Sequence, residues 1–462
     1  MATPRNDMTS RSFSGGQSVP GHKPTTAVIL AAGLGTRMRS SLPKALHPLG
    51  GRPMICHLVE TAASVFDRIV VVVGPDMDAL AQAVAPWPTV IQNERLGTGH
   101  AALMAEAHFG EGDVAILYAD NPLIRAETMR ALLRRRDEEG TKLALLAMTP
   151  GDPGRYGRVI LRDGLVQEIV EWKDASETQR EVTLCNAGVL CADAQALRRW
   201  LQGLGNGNAQ GEYYLTDVVA LAAREGAVRH VEAPASELAG INSRAELACA
   251  EATLQARLRR EAMENGVTLV APETVFFSTD TVIEPDVLIE PNVVFGPGVV
   301  LRRFARIRAF SHLEGCEVGP EAIIGPYARL RPGTRCEAKS HVGNFVELKA
   351  THLGEGAKAN HLTYLGDSTI GARTNIGAGT VTCNYDGVFK HRTSIGSDVF
   401  IGSDSILVAP VTIGDEALVG AGSVITDNVA PGSLALGRAR QTEKTGRGRA
   451  IRQSLLARKE QG

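Results

Sequence analysis

Two hydrophobic periods divide the chain. From Thr25 onward, short apolar runs alternate with stretches of helix-forming residues. Ala27-Val28-Ile29-Leu30, Ile69 to Val73, Val114 to Tyr118 and Leu143 to Met148 carry no polar alternate. A strand without a polar face is buried on both sides, so these runs predict parallel strands covered by helices. The alternation predicts a doubly wound, Rossmann-like α/β domain, which binds ligands beyond the carboxyl ends of its strands.

The second half repeats every six residues. Apolar side chains stand at Ile283, Ile289, Phe295, Leu301, Ile307 and Leu313, and the series slips by one before Val318, Ile324 and Leu330. Another series occupies Ile395, Ile401, Leu407, Ile413, Val419 and Ile425. That period fits neither a helix nor an alternating strand. It is the period of hexapeptide β-helix repeats, in which each hexad builds one side of a coil, so an all-β domain follows the α/β one. The repeat breaks between Thr382 and Ile395, where Cys383-Asn384-Tyr385-Asp386-Gly387-Val388-Phe389-Lys390 is inserted. Coil packing needs no such excursion, which makes the loop a candidate for function.

These patterns set the boundaries. Residues 1–24, rich in Ser, Thr, Gly and Pro, are expected to be a disordered tail, and 25–242 the α/β domain. Ser243-Arg244-Ala245-Glu246 is a capping box, and Asn265-Gly266 is a stop signal, so 243–265 are expected to form one linker helix. Residues 266–462 are the β-helix with a basic tail, which carries Arg438, Arg440, Lys444, Arg447, Arg449, Arg452, Arg458 and Lys459.

Composition narrows the function. Lys plus Arg (49) nearly balance Asp plus Glu (51), which argues against a nucleic-acid binder. The seven cysteines are scattered, with no Cys-x-x-Cys pair, which argues against a disulfide framework or zinc site and suits a reducing cytoplasm. No apolar run has membrane-spanning length, so no membrane insertion is expected.

The first candidate site follows the first strand: Leu30-Ala31-Ala32-Gly33-Leu34-Gly35-Thr36-Arg37-Met38, leading to Pro43-Lys44. Such glycines let backbone N–H groups curl around phosphate oxygens. Arg37 and Lys44 are positioned to neutralise charge during nucleotidyl transfer. The string is neither a Walker A loop nor a dinucleotide fingerprint, since no Gly-Lys-Ser/Thr follows and Met38 stands at the third glycine.

The full string through Pro43-Lys44 resembles the signature of sugar-nucleotide pyrophosphorylases. Together with the β-helix, it is similar to the bacterial family of bifunctional N-acetylglucosamine-1-phosphate uridyltransferases/glucosamine-1-phosphate acetyltransferases, over about Thr25 to Lys444. The resemblance implies a nucleotidyltransferase domain that joins UTP to N-acetylglucosamine-1-phosphate with Mg²⁺, and a left-handed parallel β-helix that uses acetyl-CoA. It assigns Leu30, Ala31, Ala32, Gly33, Lys44, Gln92, Gly97, Thr98, Tyr118, Ala119 and Asp120 to the nucleotide. Gly157, Glu171 and Asn186 match positions that hold the sugar, and Asp120 and Asn242 are the implied metal ligands, oxygen donors of the kind Mg²⁺ takes. Leu34, Ala119, Asn121, Trp172 and Ala187 depart from the family pattern, which has Lys, Gly, a small apolar residue, His and Thr there.

In the second half, Gly343-Asn344-Phe345-Val346-Glu347-Leu348-Lys349 and His361-Leu362-Thr363-Tyr364-Leu365-Gly366-Asp367 carry polar chemistry that coil packing does not require. Acetyl transfer to an amine needs a base, and His is matched to that near neutral pH. By resemblance His361 is the base, and Glu347 orients it or the amine. Arg331, Lys349 and Lys390 match phosphate-binding positions, with Tyr364 and Asn375 on the sugar hydroxyls. Ala378, Asn384, Tyr385, Ser403, Ala421 and Arg438 match acetyl-CoA contacts. A homotrimer is implied, each acetyl site being built from neighbouring chains. Two other readings are a single-function nucleotidyltransferase with a regulatory or oligomerising β-helix, and a catalytically dead scaffold. The intact His361 string argues against the first, and the intact Gly33 to Lys44 string with Asp120 against the second.

Overall fold

The computed structural model describes residues 23–460, so the tail expected over 1–24 lies almost wholly outside the described residues. The described chain forms two compact units that divide between Leu254 and Gln255.

In the first unit the apolar runs are strands: β1 (Thr25–Leu30), β2 (Arg68–Val73), β3 (Thr89–Ile91), β4 (Asp113–Tyr118) and β5 (Thr141–Met148). With β6 (Cys185–Asp193) and β7 (Ala227–Glu232) they make a sheet in the order β7-β5-β6-β4-β1-β2-β3. β1 runs parallel to both neighbours, and its residues 27–29 are fully buried. Two apolar clusters cover the two faces, one around Ile29, Val71 and Leu117, the other around Val28, Val72 and Ile116. β6 departs from the all-parallel expectation, because it runs antiparallel to both β4 and β5, while β5 pairs parallel with β7. An apolar run reads the same in either direction, so only the connection lengths carried that difference.

The helix Arg244–Glu264 begins at the expected box. The Glu246 N–H donates to the Ser243 hydroxyl oxygen (3.2 Å), while the Glu246 carboxylate accepts the Ser243 O–H (3.0 Å) and the Asn242 N–H (2.7 Å). The cap therefore also fixes the backbone of Asn242. The helix is more than a spacer, for its two halves are packed parts of their units. Glu251 accepts the Gly50 N–H in the first. In the second, buried Gln255 exchanges two hydrogen bonds with the Phe277 backbone.

The second unit is a three-sided parallel β-helix. Short strands stack coil on coil into three walls, with Ile289 on Ile307, Ile307 on Ile324, and Ile324 on Val342. The residues of both hexad series point inward and form one continuous core, with Ile283 packed against it half-buried. Two longer strands turn a corner without a break: β8 (His341–Lys349) and β9 (Lys358–Gly366). The inserted loop leaves one coil and the stack resumes beyond it, Ile376 pairing directly with Ile401.

Candidate active sites

The first site lies at the carboxyl ends of β1, β2 and β4. The Ala31 N–H donates to the Val72 carbonyl and the Ala119 N–H to the Leu30 carbonyl. The glycine loop and the Ala119-Asp120 turn therefore emerge side by side. They bound a cavity of about 390 Å³, lined by Leu30 to Leu34, Lys44, Gln92, Gly97, Thr98 and Tyr118 to Asp120. Gly35 sits at φ 60°, and a Cβ there would come within 2.6 Å of the Lys44 Cβ, so a side chain would push Lys44 aside.

Lys44 Nζ lies 2.6 Å from Asp120 Oδ2 and 3.0 Å from Asn242 Oδ1. The two oxygens expected to hold a metal thus converge on one positive charge. Among the described residues no cluster of three or more His, Cys, Asp or Glu side chains is arranged for a metal. A cation here would take two protein oxygens and complete its shell from elsewhere, which is the habit of Mg²⁺ at phosphates.

Gln92 is buried and donates to the Gly97 carbonyl (3.1 Å), closing the Gln92–Thr98 loop on itself. The Thr98 hydroxyl accepts the Leu215 N–H (3.1 Å) and is hydrogen-bonded to Tyr118, whose phenol is raised by burial. Gly157, Glu171 and Asn186 form a neighbouring group outside the cavity lining. The Asn186 N–H donates to the Gly157 carbonyl (2.8 Å), and a Cβ at Gly157 would be 3.5 Å from both Glu171 carboxylate oxygens. Burial raises the Glu171 carboxyl above its usual range, opposed by the Thr216 hydroxyl donating to it (3.1 Å). Arg37 stands apart, exposed on the turn Thr36–Met38 and outside the cavity.

Two features here were not legible beforehand. Arg95 lines the cavity, its Nε donating to the Ala32 carbonyl (2.8 Å), though the run Asn93-Glu94-Arg95 reads only as a polar loop. Trp172 is sandwiched between Arg158 (4.9 Å) and Arg180 (4.7 Å), which fixes the segment next to Glu171.

The second site runs along β8, β9 and the coils that follow. Asn344 stands opposite His361 in the parallel register, and its Oδ1 is 2.7 Å from His361 Nδ1. Glu347 instead binds Arg331 (2.9 Å). The side chain that meets the imidazole is Asn344, not Glu347, because neighbouring rungs of the wall set the partners. Glu347 faces Tyr364 in the same register, which leaves it beside a position expected to hold the sugar.

Arg331, Lys349 and Lys390 come together. The Lys349 ammonium is held below its usual range, first because its neutral amine accepts a hydrogen bond from Lys390, then by burial and by the charges of Lys390 and Arg331, against the pull of Asp367. Asp367, 3.9 Å from Lys349, also accepts a short hydrogen bond from the buried Asn384 amide. Beyond Asn384 the loop projects, with Tyr385 59% and Phe389 68% exposed. Asp386 organises it by accepting the Val388 and Phe389 N–H groups and pairing with His391.

Ala378, Ser403 and Ala421 occupy the same corner of successive coils. Asp404 N–H donates to the Ala378 carbonyl and Gly422 N–H to the Ser403 carbonyl, so small residues form a column there. Asn375 is half-buried, one coil beyond Lys358, and Arg438 is exposed just past the last strand at Leu434–Ala435.

Comparison with known proteins agrees with this two-unit layout. The model of the MobA-like NTP transferase domain matches residues 27–189, and that of the hexapeptide repeat of succinyl-transferase matches 392–427. The bifunctional protein GlmU of Gluconobacter oxydans is 71% identical over 438 residues, covering 95% of this chain and 98% of that protein. The chain belongs to the GlmU family. The GlmU of Gluconacetobacter diazotrophicus is 66% identical over 96% of this chain and 97% of its own, and that of Acidiphilium cryptum 60% over 92% and 98%. GlmU relatives thus match more than nine-tenths of this chain, and the β-helix is the left-handed kind built from hexapeptide repeats. The protein is a bifunctional transferase, which sets aside the single-function and scaffold readings. Among the described residues no helix is long and apolar enough to cross a membrane.

Proposed function

We propose that the chain makes UDP-N-acetylglucosamine in two steps, one in each unit. The observation that carries this reading is that it holds two separate anion-accepting clusters beside different chemistry. Lys44 lies among oxygen donors in a nucleotide-sized cavity, and Lys349, clustered with Arg331 and Lys390, lies on β8, the strand whose Asn344 meets the His361 imidazole.

In the β-helix, the amine of glucosamine-1-phosphate attacks the thioester carbonyl of acetyl-CoA. The three cations bind the sugar phosphate, because like charges crowded together favour a dianion. The lone pair of the His361 imidazole takes the amine proton as the C–N bond forms. The C–S bond then breaks, and the proton returns to the leaving CoA thiolate. Tyr364, Asn375 and Glu347 orient the sugar. The column Ala378, Ser403 and Ala421 gives acetyl-CoA a wall without side-chain obstruction, with Asn384, Tyr385 and Arg438 at its margins.

In the α/β unit, an oxygen of the N-acetylglucosamine-1-phosphate anion attacks the α-phosphorus of UTP, and the bond to pyrophosphate breaks. The nucleophile is already anionic, so positioning and charge neutralisation suffice. Lys44 moves from Asp120 to the phosphates, while Gln92, Gly97 and Thr98 form the base end. Gly157, Glu171 and Asn186 hold the acetylated sugar, and Arg37 reaches in from the lip. Asp120 and Asn242 would hold Mg²⁺, which when bound supplies Lewis-acid stabilisation of the phosphate charge.

We further infer a homotrimer with acetyl sites between chains. An exposed ladder supports it: Phe310 stacks on Tyr327 (4.9 Å) and Tyr327 on Phe345 (5.3 Å), and Leu362 beside His361 follows at the next coil, 63% exposed. Such a ridge suits burial against a second copy.

The test is product analysis on the full chain with glucosamine-1-phosphate, acetyl-CoA, UTP and Mg²⁺. UDP-N-acetylglucosamine, CoA and pyrophosphate are expected, with only N-acetylglucosamine-1-phosphate and CoA when UTP is omitted. Failure to consume acetyl-CoA overturns the β-helix assignment, and failure to release pyrophosphate overturns the other.

A further inference from the structure

We propose that Asn344 is a positioning residue for acetyl transfer: it fixes the tautomer and orientation of the His361 imidazole. The proposal rests on reading His361 as the base and adds how that base is prepared.

A neutral imidazole carries its proton on one nitrogen and its lone pair on the other, and the partner of one nitrogen decides the role of both. The Asn344 amide oxygen, 2.7 Å from Nδ1, has only lone pairs to offer. It therefore accepts an N–H from Nδ1 and leaves the Nε2 lone pair free for the amine proton. A base held the other way round would present an N–H where a lone pair is needed.

The wall makes this contact reproducible. Asn344 and His361 are register partners on β8 and β9, the longest strands of the β-helix, and the flanking pairs Val342–Ala359 and Val346–Thr363 are buried on the inner side. Below the ring, the His361 carbonyl accepts the Thr363 hydroxyl (2.7 Å), so the backbone is tied as well. Glu347 is engaged with Arg331 and does not compete. The partner is an amide rather than a carboxylate, which matters chemically. A carboxylate would stabilise the imidazolium and raise the pH at which the base becomes unprotonated; an amide orients the ring without adding a charge.

The experiment uses the full chain with histidine labelled by ¹⁵N and the variants Asn344→Ala, Asn344→Asp and His361→Ala, the last assigning the ring signals. In the parent, the His361 ring should show the Nδ1–H tautomer near neutral pH, and Asn344→Ala should show a mixture. Asn344→Ala should lower kcat for acetyl transfer by about 10- to 100-fold, with KM for glucosamine-1-phosphate within about twofold and uridylyl transfer unchanged. Asn344→Asp should restore much of the rate, but with the acid limb of its pH profile moved to higher pH. A merely structural role for Asn344 would not move that limb. Parental kcat and pH profile in both Asn344 variants, with His361→Ala inactive, would overturn the positioning role and leave the base assignment standing. Full acetyl transfer in His361→Ala would remove the base assignment and the positioning role with it.

Discussion

Lys44 and Asp120 meet at 2.6 Å although three strands of the sheet, β2, β3 and β4, lie between them in sequence, and Asn242 approaches the same ammonium at 3.0 Å. Three segments, the glycine loop, the end of β4 and the cap of the helix at Arg244, are tied at one atom. The ammonium marks the point where positive charge is wanted, and both acceptors are free to trade it for a stronger cation when phosphates arrive. Asp120→Ala should therefore reduce uridylyl transfer by about 100-fold or more and leave acetyl transfer intact. His361→Ala should do the reverse. Separate assays on each variant check this, and loss of both activities in a folded single variant would contradict the division of labour.

The Lys349–Lys390 contact predicts a pH dependence. Lys349 has its ammonium pKa lowered by Lys390, so it loses its proton at lower pH than an ordinary lysine. Binding of a phosphate favours the protonated form. KM for glucosamine-1-phosphate should thus be lowest below that lowered pKa and rise as pH climbs through it. In Lys390→Ala the rise should begin at higher pH, since the chief cause of the shift is gone, although KM is larger throughout. Superimposable onsets in the two proteins would contradict the cation cluster.

Leu34 is 61% exposed at the lip of the first cavity. The loop offers its backbone to phosphate whatever the side chain, so Leu34→Lys should change KM for UTP by only a few-fold, about the effect of one screened charge, and leave kcat within about twofold. Steady-state kinetics with UTP varied test it. A tenfold rise in kcat would mean that Leu34 limits turnover.

Assembly gives the fourth expectation. If neighbouring chains complete each acetyl site, His361→Ala and Arg438→Ala chains should each be nearly inactive, and trimers refolded from a mixture should regain part of the activity. Mixed trimers confirmed by mass, yet inactive, would place the whole site in one chain.

Much of this was legible in the sequence for a simple reason: period is a property of the chain itself. The hexads announced Ile289, Ile307 and Ile401 as core, and the unbroken apolar run announced β1 as buried on both sides. What was not legible was pairing. Nothing local says that β6 runs against β5, or that Asn344 rather than Glu347 meets His361, because both follow from which rung lies over which. Arg95 and the Arg158–Trp172–Arg180 sandwich escaped for the same reason, each being a contact between distant segments.

The resumption of the stack at Ile376 and Ile401 treats the loop between them as a free appendix. In the β-helix a residue has an address, given by coil and wall, and sequence length counts only inside a wall. Grafting a foreign peptide at Gly387, at the tip of the loop, alters no address. Adding one residue between Val346 and Leu348, inside a wall, would re-address the rest of β8, turning Leu348 out of the core and moving Lys349 off its rung. The scaffold is thus open to insertion at its corners and closed to it along its walls, so a library built on this chain should place all its length variation at the corners.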